Sequence, residues 1–532
     1  MGSEMCIRDS ILHRAEEIFP DSRITCRTGD VEESFSYSAW ATDVRRLAAG
    51  LQRLGLEPGT RVATMCANTY EHLLLYFAVP CAGLVLNTVS HRLSAEHLAH
   101  VLDDADVRVV FIEPSLLERA GPVLRALDRV GHVVVVGDPG PPSSDADLRF
   151  EDLLDADPHV GDFAEGDETR AAVICYTSGT TGLPKGVVYS HRSLVLHALM
   201  VLQADSLGIT EGDVVLPIVP MFHANAWGLP YASVFAGADL VLPGAAHGPL
   251  LLVDLIERYQ VSVTACVATI WRDMLPHARG RDLSRIRRAL TGGAPLSPSL
   301  AREWLEECGV RLNNTWGMTE LAPSGSIARV RKDAADGSPS EALLLPGTPN
   351  ALVRLRVGDL VDGEPLTRRS GAIGEIQVSG PTTASAYLGG VGAERFTPDG
   401  WLRTGDLGSL GPYGDLTITD RLKDVIKSGG EWISTIDLEN ALMENPDVAE
   451  AAVIGMPHER WDERPLAFVV PRPGTTLQPQ AVRQDLLTRV VSWWVPDEVI
   501  VTSHLPRNGT GKISKADLRV LGRKATDRRT NQ

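Results

Sequence analysis

The sequence lacks the features by which membrane, secreted and zinc-stabilised proteins are usually recognised. No apolar run approaches the roughly 18 residues that a membrane-spanning helix needs, and the N-terminus has no apolar segment typical of a signal peptide. Cysteines are few, odd in number and widely spaced, without a CxxC pair: Cys6, Cys26, Cys66, Cys81, Cys175, Cys266 and Cys308. This pattern predicts neither a disulfide framework nor a zinc site. We therefore expect a soluble protein of the reducing cytoplasm.

Positive charge is also in deficit, with 51 lysines and arginines against 68 aspartates and glutamates and a formal net charge of −17. An anionic surface repels the phosphate backbone, which argues against nucleic acid as a partner, whereas a nucleotide-sized ligand needs only a few local cations. The expected partners are small molecules. At 532 residues the chain is longer than one hydrophobic core usually fills, so two or more domains are predicted.

A loop rich in glycine and hydroxyl side chains follows the apolar segment 171–175. A strand that ends in such a loop brings backbone N–H groups close to phosphate oxygens, and a lysine adds positive charge, so the loop predicts a polyphosphate site. Its glycines lack the longer spacing of a kinase-type P-loop. A flexible surface turn is the alternative interpretation. The candidate residues are Thr177, Ser178, Gly179, Thr180, Thr181, Gly182 and Lys185.

Helical and strand-like patterns alternate along most of the chain. Helical spacing over residues 39–54 and 71–82 alternates with strand-like runs at 61–66 and 107–112, which predicts a largely parallel α/β sheet. The alternation resumes after the glycine-rich loop and implies a second α/β half. Between residues 347 and 380, short β-type runs separated by glycine-containing turns predict a small antiparallel subdomain or barrel.

The chain is predicted to divide into four segments. Residues 1–10 have the character of a tag or artefact as much as of a native start, and residues 11–419 form a large domain. Residues 420–522, rich in tryptophan, proline and charge, form a separate C-terminal domain, and residues 523–532 a flexible polar tail.

Five further segments combine residue types that suit nucleotide chemistry. Residues 291–295 (TGGAP) contain glycines that let the backbone approach a flat ligand. Residues 313–320 (NNTWGMTE) offer an aromatic face, a hydroxyl and a carboxylate, and residues 401–406 (WLRTGD) end in an aspartate suited to ribose hydroxyls. Residues 420–433 contain two adjacent glycines that suit a hinge, and residues 505–514 place a lysine in a glycine-containing loop. When each segment is considered singly, the alternative interpretation is an ordinary turn or linker.

Residues 219–228 (VPMFHANAWG) bring aromatic and apolar side chains next to a proline, a composition that is usually core packing. In their order along the chain, all these segments resemble those of the acyl-adenylate-forming superfamily, which contains acyl-CoA synthetases, nonribosomal adenylation domains and firefly luciferases. The resemblance covers nearly the whole chain. It implies an α/β fold with a large N-terminal domain of two α/β sheet subdomains plus a small β-barrel, followed by a small mobile α+β C-terminal domain.

The resemblance implies ATP, Mg²⁺ and coenzyme A as ligands. In similar enzymes the glycine segment lines the adenine pocket, an aromatic residue packs on adenine, a threonine binds the α-phosphate, and an aspartate with an arginine binds ribose. Carried over, the nucleotide-binding residues are Gly292, Gly293, Ala294, Asn314, Thr315, Trp316, Thr319, Asp406, Arg421 and the pivot Lys423, and the metal-binding residues are Thr181 and Glu320. Tyrosine is commoner at the position of Trp316, and tryptophan there resembles the medium-chain acyl-CoA ligase branch.

The resemblance also assigns residues to catalysis, to an acyl channel and to the coenzyme A side. The catalytic residues it implies are Lys512, Thr181, Lys185, His223 and Glu320. Among them, Lys512 is the adenylation lysine that bridges the attacking carboxylate and the α-phosphate. Trp227 stands at the position of a tryptophan gate, with Met221 and Phe222 beside it, and Ala268 stands where the family has proline. The loop that swings toward the thioester site comprises Lys427, Ser428, Gly429, Gly430, Glu431 and Trp432.

We therefore expect an ATP-dependent acyl-CoA synthetase that forms acyl-AMP and then a coenzyme A thioester, with a medium- or long-chain fatty acid as substrate. The alternatives are a short-chain, aryl or methylthio-alkanoate CoA ligase and an adenylation enzyme that loads a carrier protein. A nucleotide-binding regulatory protein is disfavoured because Lys185, Glu320 and Lys512 are all present. Similar enzymes are often homodimers, and only this analogy points to one here.

Overall fold

The computed structural model describes residues 5–29, 31–137, 147–157, 167–177, 183–245, 247–330, 343–360, 364–366, 371–507 and 512–530. Five residues of the predicted phosphate loop, Ser178, Gly179, Thr180, Thr181 and Gly182, lie outside these ranges.

Strands and helices alternate along the large domain as predicted. The strands are β1 (Arg23–Thr28), β2 (Val31–Ser36), β3 (Arg61–Met65), β4 (Val85–Thr88), β5 (Val107–Ile112), β6 (His132–Val135), β7 (Leu148–Arg149), β8 (Ala171–Tyr176), β9 (Gly186–Ser190), β10 (Val214–Pro217), β11 (Asp239–Leu242), β12 (Val263–Cys266), β13 (Arg288–Gly292), β14 (Leu312–Gly317), β15 (Ser324–Ile327), β16 (Thr348–Pro349), β17 (Arg354–Gly358), β18 (Gly374–Ser379), β19 (Leu402–Leu410), β20 (Leu416–Arg421), β21 (Ile426–Ser428), β22 (Glu431–Ile433), β23 (Val448–His458), β24 (Asp462–Pro471) and β25 (Glu498–Val501). The α-helices are α1 (His13–Ile18), α2 (Tyr37–Arg53), α3 (Tyr70–Cys81), α4 (Ala95–Asp104), α5 (Pro114–Arg125), α6 (Phe150–Leu154), α7 (His191–Leu202), α8 (Leu229–Ala236), α9 (Pro249–Arg258), α10 (Ala268–Ala278), α11 (Pro298–Cys308), α12 (Thr435–Met443), α13 (Pro479–Leu486) and α14 (Lys515–Thr530). In the described part of the chain, none of these helices combines the length and apolar character that crossing a membrane requires.

Two α/β sheets confirm the architecture expected of the large domain. The first has the strand order β7-β6-β5-β3-β4-β8-β9 and is parallel except between β8 and β9. The second has the order β16-β15-β14-β13-β12-β10-β11-β1-β2, with parallel pairs at its centre and antiparallel pairs at both ends. The segments that follow β10, β12, β13 and β14 therefore meet at one sheet edge, where open α/β sheets bind ligands.

The largest core cluster is shared by both sheets and encloses α3. After Glu71 every residue of this helix is buried, as a sequence that is apolar on all sides predicts. Phe77 of α3 packs edge-on against Trp40 of α2, with ring centroids 4.7 Å apart. Ile7 joins the same cluster, so part of the segment 1–10 packs against the domain.

A third sheet stands where a small barrel was expected. Strands β17, β18, β19 and β20 pair antiparallel in that order. The expected antiparallel subdomain is therefore confirmed, and within the described ranges no pairing joins β17 to β20, so the sheet is not closed into a barrel there. Turn-rich β segments predict antiparallel neighbours, but closure depends on whether the two end strands meet, which a local pattern does not determine.

The remaining chain forms a smaller α+β unit. Its sheet has the order β22-β21-β24-β23, with β25 beside β24, and α12 and α14 lie against β23. The predicted boundary at residue 420 falls within β20 and stays a prediction. The tail from residue 523, expected to be flexible, continues α14 to Thr530, because no glycine or proline follows Gly522 and alanine, lysine and arginine favour helix.

Candidate active site

A cavity of about 1340 Å³ lies between the large and small domains. Its walls include the segments that follow β10, β12, β13 and β14. Of the predicted site residues, it is lined by Thr177, Lys185, Phe222, His223, Trp227, Gly292, Gly293, Ala294, Thr315, Thr319, Glu320, Arg421, Lys423 and Lys512. The other predicted residues that the structure describes do not line the cavity: Met221, Asn314, Trp316, Asp406, Lys427, Ser428, Gly429, Gly430, Glu431 and Trp432.

Strand β13 ends in the predicted adenine segment. Gly293 has a φ of +77°, in the left-handed region that glycine adopts without strain. A Cβ at Gly292 would lie 2.7 Å from Cγ2 of Thr315, and one at Gly293 would lie 2.8 Å from Cε of Lys512. A side chain at Gly292 would therefore collide with Thr315, whereas at Gly293 it would be strained by the positive φ and would displace the end of Lys512.

The Trp316 indole and the Asp406 carboxylate form one polar unit, although 90 positions separate them in sequence. Nε1 of Trp316 donates to Oδ2 of Asp406 at 2.7 Å, and Nε of Arg421 lies 2.9 Å from Oδ1. Trp316 is 9% exposed and packs into the core of the antiparallel sheet. The residues predicted to recognise adenine and ribose therefore contact each other directly.

Neighbouring residues of β14 face in opposite directions, as strand geometry requires. Thr315 faces the cavity, and its Oγ1 donates to the carbonyl oxygen of Ser326 at 2.7 Å. Asn314 points away, and its side-chain amide donates to the carbonyl oxygen of Leu344 at 2.7 Å. This placement gives the side chain of Asn314 a structural contact, and its nucleotide contact stays a prediction.

The turn after β14 presents Thr319 and Glu320 to the cavity. Glu320 is 5% exposed and accepts a hydrogen bond of 2.5 Å from the hydroxyl of Tyr387. Burial, and then the charge of Glu320, raise the pKa of Tyr387, so the phenol remains a donor. The sequence reasoning missed Tyr387, because its short surrounding segment carries no recognisable pattern of chemistry.

Glu320 is also one of the two predicted ligands of the metal ion. In the ranges that the structure describes, no cluster of three or more histidine, cysteine or acidic residues could hold a metal by itself. A single buried carboxylate that opens onto a cavity fits Mg²⁺, which usually keeps water and substrate phosphate oxygens as its other ligands. Thr181, the second predicted metal ligand, lies outside the described residues.

Strands β8 and β9 bracket the predicted phosphate loop. The backbone N–H of Thr177 donates to the carbonyl oxygen of Lys185 at 3.0 Å, and the backbone N–H of Lys185 donates to Oγ1 of Thr177 at 3.2 Å. The Lys185 ammonium lies 5.2 Å from the ring centroid of Tyr387 and 3.8 Å from a carboxylate oxygen of Glu394. These contacts hold a positive charge beside the cavity.

Lys512 comes from the small domain and reaches the large-domain wall. Burial, and then the charge of Arg421, lower the pKa of Lys512 to about 8, against the opposing effect of Asp406 and Glu320. His223 faces the same space, and burial, followed by the charge of Lys512, lowers its pKa to about 3. At neutral pH the pair is therefore an ammonium beside a neutral imidazole, which can together orient a carboxylate.

The predicted coenzyme A loop lies outside the cavity. Residues 427–432 form the hairpin of β21 and β22, in which Gly429 and Gly430 have φ angles of +61° and +88°. The backbone N–H of Gly429 donates to the carbonyl oxygen of Trp461 at 2.8 Å. Lys423, the predicted pivot, does line the cavity, and burial lowers its pKa.

A left-handed turn holds the predicted acyl-channel tryptophan. The four residues from Ala224 to Trp227 have φ angles of 42°, 54°, 48° and 57°. This conformation costs about 1–2 kcal/mol for each non-glycine residue. Trp227 and Phe222 line the cavity, whereas Met221 is buried outside it and its carbonyl oxygen accepts from the hydroxyl of Tyr76. Among the aliphatic residues of the cavity wall are Val201, Leu207, Ile218, Leu229, Leu290 and Ile327.

Two family models match the chain. A model described as AMP-binding enzyme matches residues 12–388, and one described as AMP-binding enzyme C-terminal domain matches residues 437–512. A long-chain-fatty-acid–CoA ligase of Thermus thermophilus is 41% identical over 531 residues, covering 98% of this chain and 96% of that protein. A 3-methylmercaptopropionyl-CoA ligase of Ruegeria pomeroyi is 40% identical over 503 residues, covering 92% of each chain.

One solved protein is similar in two states. ATP-bound MatB from Rhodopseudomonas palustris matches with a TM-score of 0.84 at 26% identity, over 98% of this chain and 99% of that one. The apo form of MatB, at the same identity and coverage, gives a TM-score of 0.75. The structure is thus more similar to the ATP-bound state of that protein than to its apo state.

Proposed function

The chain belongs to the AMP-binding enzyme family and is an AMP-forming acid–thiol ligase, and we propose that it activates a medium- or long-chain fatty acid with ATP, Mg²⁺ and coenzyme A. In the first step a carboxylate oxygen attacks the α-phosphorus of ATP, the bond to the β-phosphate oxygen breaks, and pyrophosphate leaves. In the second step the thiol sulfur of coenzyme A attacks the acyl carbon, loses its proton, and AMP leaves with the electron pair of the acyl–oxygen bond.

The observation that carries this proposal is that Lys512 lines one cavity together with the predicted nucleotide and acyl residues. Arg421 and Glu320 are close enough to Lys512 to influence its pKa, and Lys512 in turn influences the pKa of His223. The acyl-channel residue Trp227 lines the same cavity. An ammonium in this position would stabilise the negative charge that develops when an acid attacks a phosphate.

We place the nucleotide along the large-domain wall. The adenine would lie against residues 292–294, and the ribose hydroxyls at Asp406, whose carboxylate keeps lone pairs beyond those used by Trp316 and Arg421. The triphosphate would face Lys185. The structure is more similar to ATP-bound MatB than to apo MatB, which supports a domain arrangement that binds ATP. Mg²⁺, when bound, would neutralise phosphate charge.

The ligands that we propose for the metal and the α-phosphate follow β14. Glu320 would hold Mg²⁺ through one oxygen while Tyr387 orients the carboxylate, and Thr319 would contact the α-phosphate. Thr181 remains a proposed ligand of the metal and the phosphates.

For the second step we propose that the small domain turns about Lys423. Residues 427–432 would then replace Lys512 at the cavity and guide coenzyme A. The two adjacent glycines of this hairpin, both with positive φ, suit a segment that changes its surroundings.

The aliphatic residues among the cavity lining favour an apolar acyl chain, which supports a fatty acid. One alternative has its own support: 3-methylthiopropionate, the acid of the Ruegeria pomeroyi relative, is short but also ends in an apolar group. Both acids would place a carboxylate at Lys512 and an apolar end toward Trp227, so the preferred chain length is the property that distinguishes them.

The test measures AMP release in the presence of coenzyme A for straight-chain acids from acetate to stearate, with benzoate and 3-methylthiopropionate. A maximum at a medium or long chain supports the proposal, and a maximum at 3-methylthiopropionate supports the alternative. AMP release that requires a carrier protein instead of coenzyme A would indicate carrier loading. Failure of every acid to support ATP–pyrophosphate exchange would refute the ligase reaction.

A further inference from the structure

We propose that Glu450 and Arg272 are positioning residues for Lys512 in the acyl-AMP-forming step. Glu450 lies on β23 of the small domain, and Arg272 lies on α10 of the large domain. This inference rests on the proposed function, because it concerns Lys512 as the lysine of the first half-reaction. Neither residue lies in a segment to which the sequence pattern assigns chemistry.

Lys512 directly precedes Ile513, which forms an antiparallel bridge with Arg507. These residues, together with Pro506 and Ser514, are called the Lys512 hairpin. The backbone N–H of Ser514 donates to the carbonyl oxygen of Pro506 at 2.8 Å and closes the same base. Because Lys512 directly precedes the bridged residue, the orientation of this base fixes the Lys512 backbone and thereby the region that its ammonium can reach.

One carboxylate joins this hairpin to the large domain. Nη2 of Arg507 lies 2.9 and 2.8 Å from the two carboxylate oxygens of Glu450, and Nη1 of Arg272 lies 3.3 Å from Oε1. The side chain of Glu450 is 17% exposed and that of Arg272 is 26% exposed. Since burial lowers the pKa of Arg272 while Glu450 raises it, the guanidinium depends on its carboxylate partner.

Arg272 stands on an element that is itself fixed to the cavity. The preceding residue, Trp271, is fully buried, and its Nε1 donates to the carbonyl oxygen of Leu290 on β13 at 2.9 Å. Leu290 comes two positions before Gly292, and a Cβ placed on the next residue, Gly293, would lie 2.8 Å from Cε of Lys512, so this backbone lies beside the lysine. A continuous path of contacts therefore runs from β13 through α10, Glu450 and the Lys512 hairpin back to the end of β13.

Two other ion pairs cross between the same domains without contacting the Lys512 hairpin. Arg472 lies 3.0 Å from Glu303 of α11, and Arg302 of α11 lies 3.8 Å from Glu444. These pairs also join the two domains in this orientation. They provide matched controls, because a role of Glu450 in domain attachment alone would be shared by Arg472.

The experiment measures each half-reaction in single-turnover mode: acyl-AMP formation from acid and ATP, and thioester formation from supplied acyl-AMP and coenzyme A. We expect Glu450→Gln and Arg272→Gln each to slow acyl-AMP formation about 10- to 100-fold, because a displacement of about 1 Å at a reacting group has effects of that order. Thioester formation should change less than about twofold, which also shows that the variants are folded.

Two further variants distinguish positioning from attachment. Arg272→Lys keeps a cation and should recover part of the lost acyl-AMP rate, and the double variant Arg272→Gln/Glu450→Gln should be no slower than the worse single variant. Arg472→Gln should change either rate less than about twofold, as is usual for a partly exposed ion pair.

The inference is overturned if Arg472→Gln and Arg272→Gln slow acyl-AMP formation equally, or if Glu450→Gln slows both half-reactions alike. An unmodified enzyme that forms no acyl-AMP from any acid would refute the proposed function itself. These two results can be told apart. Failure of the positioning inference is seen with an unmodified enzyme that forms acyl-AMP, whereas failure of the proposed function is seen as an unmodified enzyme that forms none.

Discussion

The large-domain side of the cavity and its small-domain side are held in different ways. The first consists of strand ends and turns fixed by buried hydrogen bonds, such as that from Trp316 to Asp406. The second meets it through ion pairs such as Arg472–Glu303, whose side chains are 40% and 26% exposed. Hydrogen bonds to charged groups contribute about 1.5–3 kcal/mol. Exposed ion pairs contribute about 0–1 kcal/mol.

This difference suits a reaction in two steps. A surface that binds the nucleotide needs to keep its shape, whereas a catalytic lysine carried by weak polar contacts can leave and return within one turnover. Substitutions on the small-domain side should therefore slow one half-reaction more than the other. Substitutions on the large-domain side should alter substrate recognition.

The largest effect is expected from Lys512→Ala. Loss of one preorganised charge aimed at developing negative charge costs about 3–4 kcal/mol, so acyl-AMP formation should fall about 10²- to 10³-fold. Conversion of supplied acyl-AMP and coenzyme A to thioester should stay near normal, because the lysine would then be away from the cavity. Single-turnover rates of both steps provide the measurement. Equal slowing of both would mean that the small domain does not exchange its position.

Trp316→Phe should have the next largest effect, on ATP recognition. Phenylalanine keeps a ring but removes the N–H that donates to Asp406, and a hydrogen bond to a charged group is worth about 1.5–3 kcal/mol, or about 10- to 100-fold in kcat/KM for ATP. The preference for ATP over 2′-deoxy-ATP should fall with it, because the carboxylate that meets the ribose loses its orientation.

A double-mutant cycle with Asp406→Asn checks this contact. If Trp316→Phe and Asp406→Asn act independently on kcat/KM, the indole acts through its ring alone and the proposed orientation of the carboxylate is wrong.

The contact between Trp316 and Asp406 also shows how far the sequence could predict this site. Both residues were recognised, each in its own segment, but not their pairing, since 90 positions separate them and a local pattern carries no information on distant contacts. The path from Arg272 to Glu450 was missed for the same reason. The parallel sheets were predicted because alternating elements specify them locally, whereas the open antiparallel sheet required knowledge of which end strands meet.

A pH effect of about tenfold is expected on the same half-reaction that Lys512 serves. Its pKa is lowered to about 8, so the ammonium is present at neutral pH and is lost as the pH rises through that value. The kcat/KM for acyl-AMP formation reports the free enzyme and should therefore fall about tenfold for each further unit above this pKa. In Lys512→Arg, whose guanidinium stays protonated, the residual rate should lack this decline. Thioester formation from supplied acyl-AMP should lack it in both proteins.

The smallest effect, of several-fold, is expected from Trp227→Ala, which changes a residue of a strained turn on the large-domain side. Four consecutive residues with positive φ hold this indole in the cavity wall, and such strain persists where the surrounding fold over-determines it. Removing the indole should widen the acyl end and shift the preferred chain length, measured as kcat/KM across the acid series. The KM for ATP should stay unchanged, because the nucleotide surface is built from other strand ends. An unchanged acid profile would exclude Trp227 from the acyl channel, and a large change in the KM for ATP would mean that the two ends of the cavity are not independent.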